Sequence, residues 1–312
     1  MSFSLDDKHI LVHYHYIEDL RGENVGMNPC PVGEFEEHLK FLSKHYQPAS
    51  LEEVYSAGKE NAEKRYFSIT LDDGLMDQRE NAVPLLKKYG VQATFFIITQ
   101  VFEHTLPSAH KLHLILSRFT PVEIIDVWNA FLVEKYPEHA NRFFVPKDKR
   151  IVKDRRLYAD IPSANIKETF TAIFPDIRDA FLDYMFETHD MDSKKLCAEL
   201  FMDTAHVKEL SQEVFAIGVH THAHETLDAL GRKGFHEDFQ KSKKWYSHLF
   251  QMDPTLFSYP YGIIPSWGPE ALQKESIKYA VTVEERSVAP TDTPLLVPRH
   301  DMASLRDFLA KQ

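Results

Sequence analysis

Two segments carry residues whose types and spacing suit catalysis. Thr70-Leu71-Asp72-Asp73-Gly74 ends an apolar run on a pair of carboxylates, and His220-Thr221-His222-Ala223-His224 sets two imidazoles four residues apart. Together they offer three metal ligands and one spare carboxylate. A bound metal acidifies water and a free carboxylate can take its proton, so the set suits hydrolysis. Each half alone is ambiguous. An isolated Asp-Asp-Gly is commonly a turn or a helix cap. Histidines at i and i+4 share one side of a helical turn and can chelate, yet 17 histidines also produce coincidental pairs. Both motifs fall at strand ends in a β/α chain, and jointly they favour the chemical reading.

The elements that must position them follow from hydrophobic periodicity. His9 to Tyr16, Phe67 to Leu71, Gln92 to Thr99, Val214 to Val219, Thr255 to Ser258, Tyr279 to Val283 and Leu295 to Val297 read as strands. Between them, Phe35 to His45, a helix capped by Ser50, Asn81 to Tyr89 (stopped by Gly90), Thr204 to Gln212, Phe235 to Phe250, Pro269 to Ser276 and Ser304 to Ala310 read as helices. From about residue 103 to about 193 the alternation lapses. Pro121 to Tyr136 and Ile166 to Glu187 are amphipathic helical stretches around a charged loop at Val145 to Arg156. The expectation is one catalytic domain over 1–312, a parallel α/β barrel with a helical insertion at about 103–193. Its chemistry would sit at the C-terminal ends of the strands. The insertion enters after one strand and leaves before the histidine strand, so it is expected over the strand-end face, as a lid, a specificity wall or an oligomer interface.

Bulk properties narrow the partners. The chain has 312 residues, with 43% apolar, 27% charged and a net charge of −11 from 36 basic and 47 acidic residues. That balance, without a basic stripe, argues against nucleic acid and long anionic polymers. No apolar window is long enough to span a membrane, and Met1 to Lys8 lacks a secretory pattern, so a cytoplasmic location is expected. Cys30 and Cys197 are too few for a disulfide framework and read as buried or incidental thiols.

Thr70 to Gly74 resembles the first motif of the NodB-homology polysaccharide deacetylases, carbohydrate esterase family 4, with Leu71 where Phe is usual. Ile217 to Leu227 resembles the second, the His-Thr/Ser-x-x-His segment, and Phe257-Ser258-Tyr259-Pro260-Tyr261-Gly262 resembles the third. The resemblance covers most of the chain outside the insertion. It implies a distorted (β/α) barrel, a divalent metal, and removal of N-acetyl groups from amino sugars. Carried over by position, it implies Asp73, His220 and His224 as metal ligands, Asp72 as general base, and the backbone N–H of Tyr261 as an oxyanion donor. For the metal, the His₂Asp set makes zinc the first choice, with cobalt, nickel, manganese or iron accepted by the same ligands.

Two departures shape the expectations. Ser258 stands where many members carry an arginine that orients the base; Arg299, at the end of a late strand, could reach the site or form an ordinary ion pair. Most members place the proton-donating histidine near the C-terminal end of the domain, whereas here the best counterpart lies at the start. Leu11 to Tyr16 instead resembles the Tyr-His strand of the branch that includes poly-N-acetylglucosamine deacetylases, which selects His15. His13 faces the same side of that strand and is the second choice, and His300 the third. His222 alternates with the ligands and reads as structural. Trp128 and Trp245 read as packing residues; Trp267, after the Tyr-Pro-Tyr-Gly loop, could also stack on a sugar.

A nucleotide-linked or lipid-linked precursor of a surface polysaccharide is the substrate expected of a cytoplasmic enzyme. The same scaffold would also serve a deformylase, a de-O-acetylase, a cyclic-amide hydrolase, or a carbohydrate-binding protein without catalysis. The intact Asp72, Asp73, His220 and His224 weigh against the last.

Overall fold

The computed structural model describes residues 3–19, 29–152 and 160–312, in two compact units. The larger holds 30–105 and 197–312 together with the N-terminal segment. Its strands are β1 (His9–Tyr14), β2 (Gln47–Pro48), β3 (Tyr66–Asp73), β4 (Ala93–Ile97), β5 (Ala216–Val219), β6 (Leu256–Ser258), β7 (Tyr279–Val281) and β8 (His300–Asp301). They form one parallel sheet in the order β7-β6-β5-β4-β3-β1-β8, with β2 also pairing β3. The sheet curls until its edges share a segment. Val297 bridges Val281 of β7, and three residues later His300 pairs with Val12 of β1. This is the distorted (β/α) barrel expected. β1 and β4 are buried along their whole length and β3 nearly so, as parallel strands covered on both faces must be.

Helices follow the strands. α1 (Val32–His45), α2 (Leu51–Glu60) and α3 (Val83–Tyr89) belong to the first half. The Ser50–Glu53 capping box starts α2, and Gly90 in the left-handed conformation ends α3. α3 is preceded by a π turn over Gln78–Ala82, where regular helix reading fails. That turn lets Gln78 Nε2 donate to the Asp72 and His15 carbonyls at 2.6 and 3.0 Å, tying the ends of β1 and β3 together.

The second unit consists chiefly of residues 106–196. It contains α4 (Ser108–Leu116), α5 (Pro121–Lys135), α6 (Pro137–Phe143), α7 (Ile161–Ala172) and α8 (Pro175–Thr188), with no strand among the described residues. Trp128 is fully buried in it against Phe170 and Phe181, its indole N–H donating to the Phe143 carbonyl. The stretch read as continuous from Ile166 to Glu187 is two helices. Pro175 cannot continue a helix, and it occupies the first position of α8 instead. Part of the charged loop at Val145 to Arg156 lies outside the described residues.

The remaining helices are α9 (Ser193–Leu200), α10 (Thr204–Ser211), α11 (Leu227–Phe250), α12 (Gly268–Lys274) and α13 (Met302–Leu309). α11 begins eight residues earlier than periodicity indicated and kinks at Gly231. Leu295 to Val297 makes a single bridge, not a strand; the pairing falls on His300–Asp301. No described helix is long and apolar enough to cross a membrane.

Candidate active site

Asp72 and Asp73 end β3, and the chain turns there through two successive left-handed residues, Asp73 (φ 80°) and Gly74 (φ 79°). A side chain at Gly74 would meet Ile97 Cδ1 at 2.9 Å, the movable end of that side chain, so it is the left-handed conformation that calls for glycine here. Alternation along the strand sends the two carboxylates to different sides.

Asp72 is buried and clamped. Arg299, itself fully buried, donates from Nη1 to Oδ1 and from Nη2 to Oδ2, both at 2.9 Å. Such a planar two-point contact fixes the carboxylate's orientation as well as its charge. Ser258 Oγ donates to Oδ2 at 3.1 Å. The guanidinium is held in turn by the Thr282 carbonyl (2.8 Å) and Thr70 Oγ1 (3.1 Å). Burial would by itself raise the Asp72 pKa, but the Arg299 charge outweighs it and holds the group below the usual carboxylate range.

Asp73 faces the imidazoles. Its Oδ1 lies 3.6 Å from His220 Nε2 and 3.5 Å from His224 Nε2, and one donor atom from each residue falls within 4.8 Å of the others. His220 Nδ1 donates to the Ser258 carbonyl at 2.7 Å, which leaves Nε2 as the unprotonated nitrogen facing Asp73. Burial lowers the His220 pKa, favouring the neutral form a metal needs. Two imidazoles and one carboxylate gathered in a buried cluster fit a divalent cation by donor chemistry.

The two histidines do not meet through a helical turn, as their spacing suggested. They sit on a loop whose Thr221 (φ 59°) and His224 (φ 57°) are left-handed. This costly geometry is stabilised by Asp238 of α11, which accepts the backbone N–H groups of His222 (2.7 Å) and Ala223 (2.9 Å). The His222 ring turns to Thr99 Oγ1 at 3.0 Å, with Nε2 3.8 Å from Glu103, a structural position.

The end of β1 supplies the other imidazoles. His13, His15 and Asp72 bring one donor atom each within 4.8 Å of one another. They differ in environment. His15 is exposed, whereas His13 is buried with Nε2 3.4 Å from Asp301 Oδ2. Burial, reinforced by the Arg299 charge, pushes the His13 pKa down to about 4. His300 is turned elsewhere, against the Phe3 ring and 3.7 Å from Asp7. Trp267 packs on Phe235 beneath Arg232, and none of its described contacts joins the cluster. Tyr261 is left-handed (φ 57°), its ring 4.9 Å from that of His224.

Three contributors escaped the sequence reading. Asp238 had a detectable signal, since an acid interrupts the buried stripe Phe235, Phe239, Ser242, Tyr246 of α11. The double use of Ser258, side chain to Asp72 and carbonyl to His220, had none. Nor did the hold of Gln78 on two strand ends.

Fold and site together define a (β/α)-barrel protein with a carboxylate–imidazole centre at the strand ends. The chain matches the polysaccharide deacetylase family over residues 59–121 and 163–280, which include Asp72, Asp73, His220, His224 and Ser258. It belongs to that family. Among curated relatives it is 40% identical over 78 residues to a polysaccharide deacetylase-type protein, YxkH, of Bacillus subtilis (24% of this chain, 28% of that one). It is 23% identical over 271 residues to poly-β-1,6-N-acetyl-D-glucosamine N-deacetylase of Staphylococcus aureus (85% of this chain, 65% of that one). The chain thus spans less than two thirds of the length of these relatives. Solved structures share the fold: the Streptococcus pyogenes deacetylase PplD in complex with acetate (TM-score 0.59, 16% identity, 96% of this chain and 97% of that one) and IcaB from Ammonifex degensii (TM-score 0.57, 13% identity, 97% of each). Arg299, His13 and His15 lie outside the residues matched to the family.

Proposed function

We propose that this chain is a metal-dependent hydrolase that removes N-acetyl groups from amino sugars. The observation that carries the reading is the division of labour between consecutive carboxylates: Asp72 locked by Arg299 and Ser258, Asp73 gathered with His220 and His224. Asp73, His220 and His224 would hold a divalent metal, which when bound would supply Lewis acidity toward the acetamide carbonyl and acidify water. Asp72 accepts the proton of the attacking water, and Arg299 keeps its carboxylate ionised and aimed. The backbone N–H of Tyr261 donates to the oxyanion of the tetrahedral adduct. His15 hands a proton to the departing amine, so that acetate and a free amino sugar leave. Its exposure supports this role over His13, whose burial keeps it neutral. Zinc is the metal proposed, from the two-imidazole, one-carboxylate donor set.

For the substrate, the name of the S. aureus relative supports N-acetylglucosamine units, in that protein as a β-1,6 polymer. A nucleotide-linked or lipid-linked N-acetylated precursor, met in the cytoplasm, is the form we propose. The test is metal-reconstituted protein assayed for acetate and free amine. The panel holds β-1,6-linked N-acetylglucosamine oligomers, N-acetylated sugar nucleotides and lipid-linked N-acetylated sugars. Stoichiometric acetate and amine support the reading. Formate, or acetate without amine, moves the chain to deformylation or de-O-acetylation, and no turnover with bound metal overturns it.

A further inference from the structure

A further group of side chains of metal-ligating type lies at the start of α1, outside the residues gathered at the strand ends. Cys30, Glu34 and His38 follow one another at four-residue steps, the spacing that stacks side chains on one face of a helix and its lead-in. One donor atom from each lies within 4.8 Å of the others. Cys30 and His38 are each 1% exposed. The Cys30 sulfur is 3.8 Å from Glu34 Oε1, and His38 Nε2 is 3.5 Å from the same oxygen. The Tyr14 hydroxyl lies 2.9 Å from His38 Nδ1; in the tautomer whose Nδ1–H donates to that hydroxyl, the Nε2 lone pair is left toward Cys30 and Glu34. Among the described residues that Nε2 makes no hydrogen bond, an uncommon state for a buried polar atom and one that asks for a ligand.

We propose that Cys30, Glu34 and His38 form a structural binding site for a thiolate-accepting divalent cation of the zinc class. Sulfur, imidazole nitrogen and carboxylate oxygen are the donors zinc uses. Arg306 of α13 donates to Glu34 Oε1 at 2.6 Å and holds the carboxylate beside Cys30 and His38. Binding breaks the Cys30 S–H bond: the sulfur electron pair goes to the cation and the proton to solvent. Without a cation, burial and the Glu34 charge keep the thiol protonated. The bound ion would tie β1, through Tyr14, and α13, through Arg306, to α1. The inference stands independently of the reaction proposed for the strand ends.

Cobalt(II) titration of the full chain tests it, because Asp73, His220 and His224 contain no sulfur. Sulfur-to-cobalt charge-transfer absorption in the near ultraviolet therefore reports this site alone. The wild type should develop that band, Cys30→Ser should lose it together with one equivalent of bound cobalt, and Cys197→Ser should keep it. His38→Gln, which retains the thiol, should weaken the band-forming affinity about 10- to 100-fold; it also serves if Cys30→Ser does not fold. No band in the wild type, a band surviving Cys30→Ser, or unchanged affinity in His38→Gln overturns the proposal. Activity does not enter the readout, so failure of the deacetylase reading is scored separately.

Discussion

On one side of the strand-end cluster Asp72 is held by two guanidinium hydrogen bonds and a serine hydroxyl, all from side chains far away in sequence. On the other side Asp73, one residue later, faces His220 and His224, whose loop is shaped by backbone hydrogen bonds and left-handed residues. The first arrangement fixes a charge that must not be lost, and the second gathers donors toward a common point. The contrast teaches that identity at adjacent positions says little about role. Alternation at a strand end assigns each carboxylate to a different neighbourhood, and the neighbourhood decides its chemistry. Ser258 joins the two sides, with its hydroxyl on Asp72 and its carbonyl on His220.

The largest effect expected is on the imidazole side. Asp73→Ala or His220→Ala should abolish metal retention and turnover together, read by metal analysis beside an acetate-release assay. A variant that loses one and keeps the other breaks the comparison. Next comes Asp72→Asn, which should keep the metal and lower kcat about 10²- to 10⁴-fold, the range for removing a general base. Asp238→Ala, acting only through the loop, should weaken metal affinity about 10- to 100-fold and leave kcat of the loaded protein near wild type.

Arg299→Ala sharpens the other side. It strands a buried carboxylate and should cost about 3–5 kcal/mol of stability by denaturant unfolding. The folded pKa of Asp72 is depressed, so its clamp stabilises the fold above the ordinary aspartate range. That contribution fades as pH falls through the folded value. Without Arg299 the folded value rises, and the acidic limb of the rate profile should move to higher pH. An unmoved limb removes Arg299 from control of the base.

The smallest effect concerns His13. Its pKa is lowered from 6.5 to about 4, so the unfolded chain binds the proton more readily and stability should decline as pH falls from about 6.5 toward 4. His13→Gln should flatten that part of the stability curve while leaving turnover closer to wild type than His15→Ala does. The opposite ranking would transfer the proton-donor role.

Much of this was legible in the residues because it is local. Strand ends, the Ser50–Glu53 capping box and the Gly90 stop depend on a few neighbouring side chains, and the barrel follows from alternating elements. The clustering of Asp73 with His220 and His224 could be anticipated from motif chemistry, but its geometry could not. A four-residue spacing reads as a helical turn, and only Asp238, more than a dozen residues on, lets the chain adopt a left-handed loop there. Arg299 left two readings open because Thr70, Asp72, Ser258 and Thr282, which surround it, come from two strands, β3 and β6, and the end of β7. No local pattern records such a convergence. Within the 106–196 unit, Pro175 was visible in the residues, yet the amphipathic pattern runs across it and hides the break.

Metal content and acetate release measured in parallel on Asp72→Asn and Asp73→Asn test the division of labour most directly. The expected result is a metal-loaded, nearly inactive Asp72→Asn beside an Asp73→Asn that has lost both metal and turnover. An Asp72→Asn that works at close to the wild-type rate, or an Asp73→Asn that keeps its metal, would contradict it.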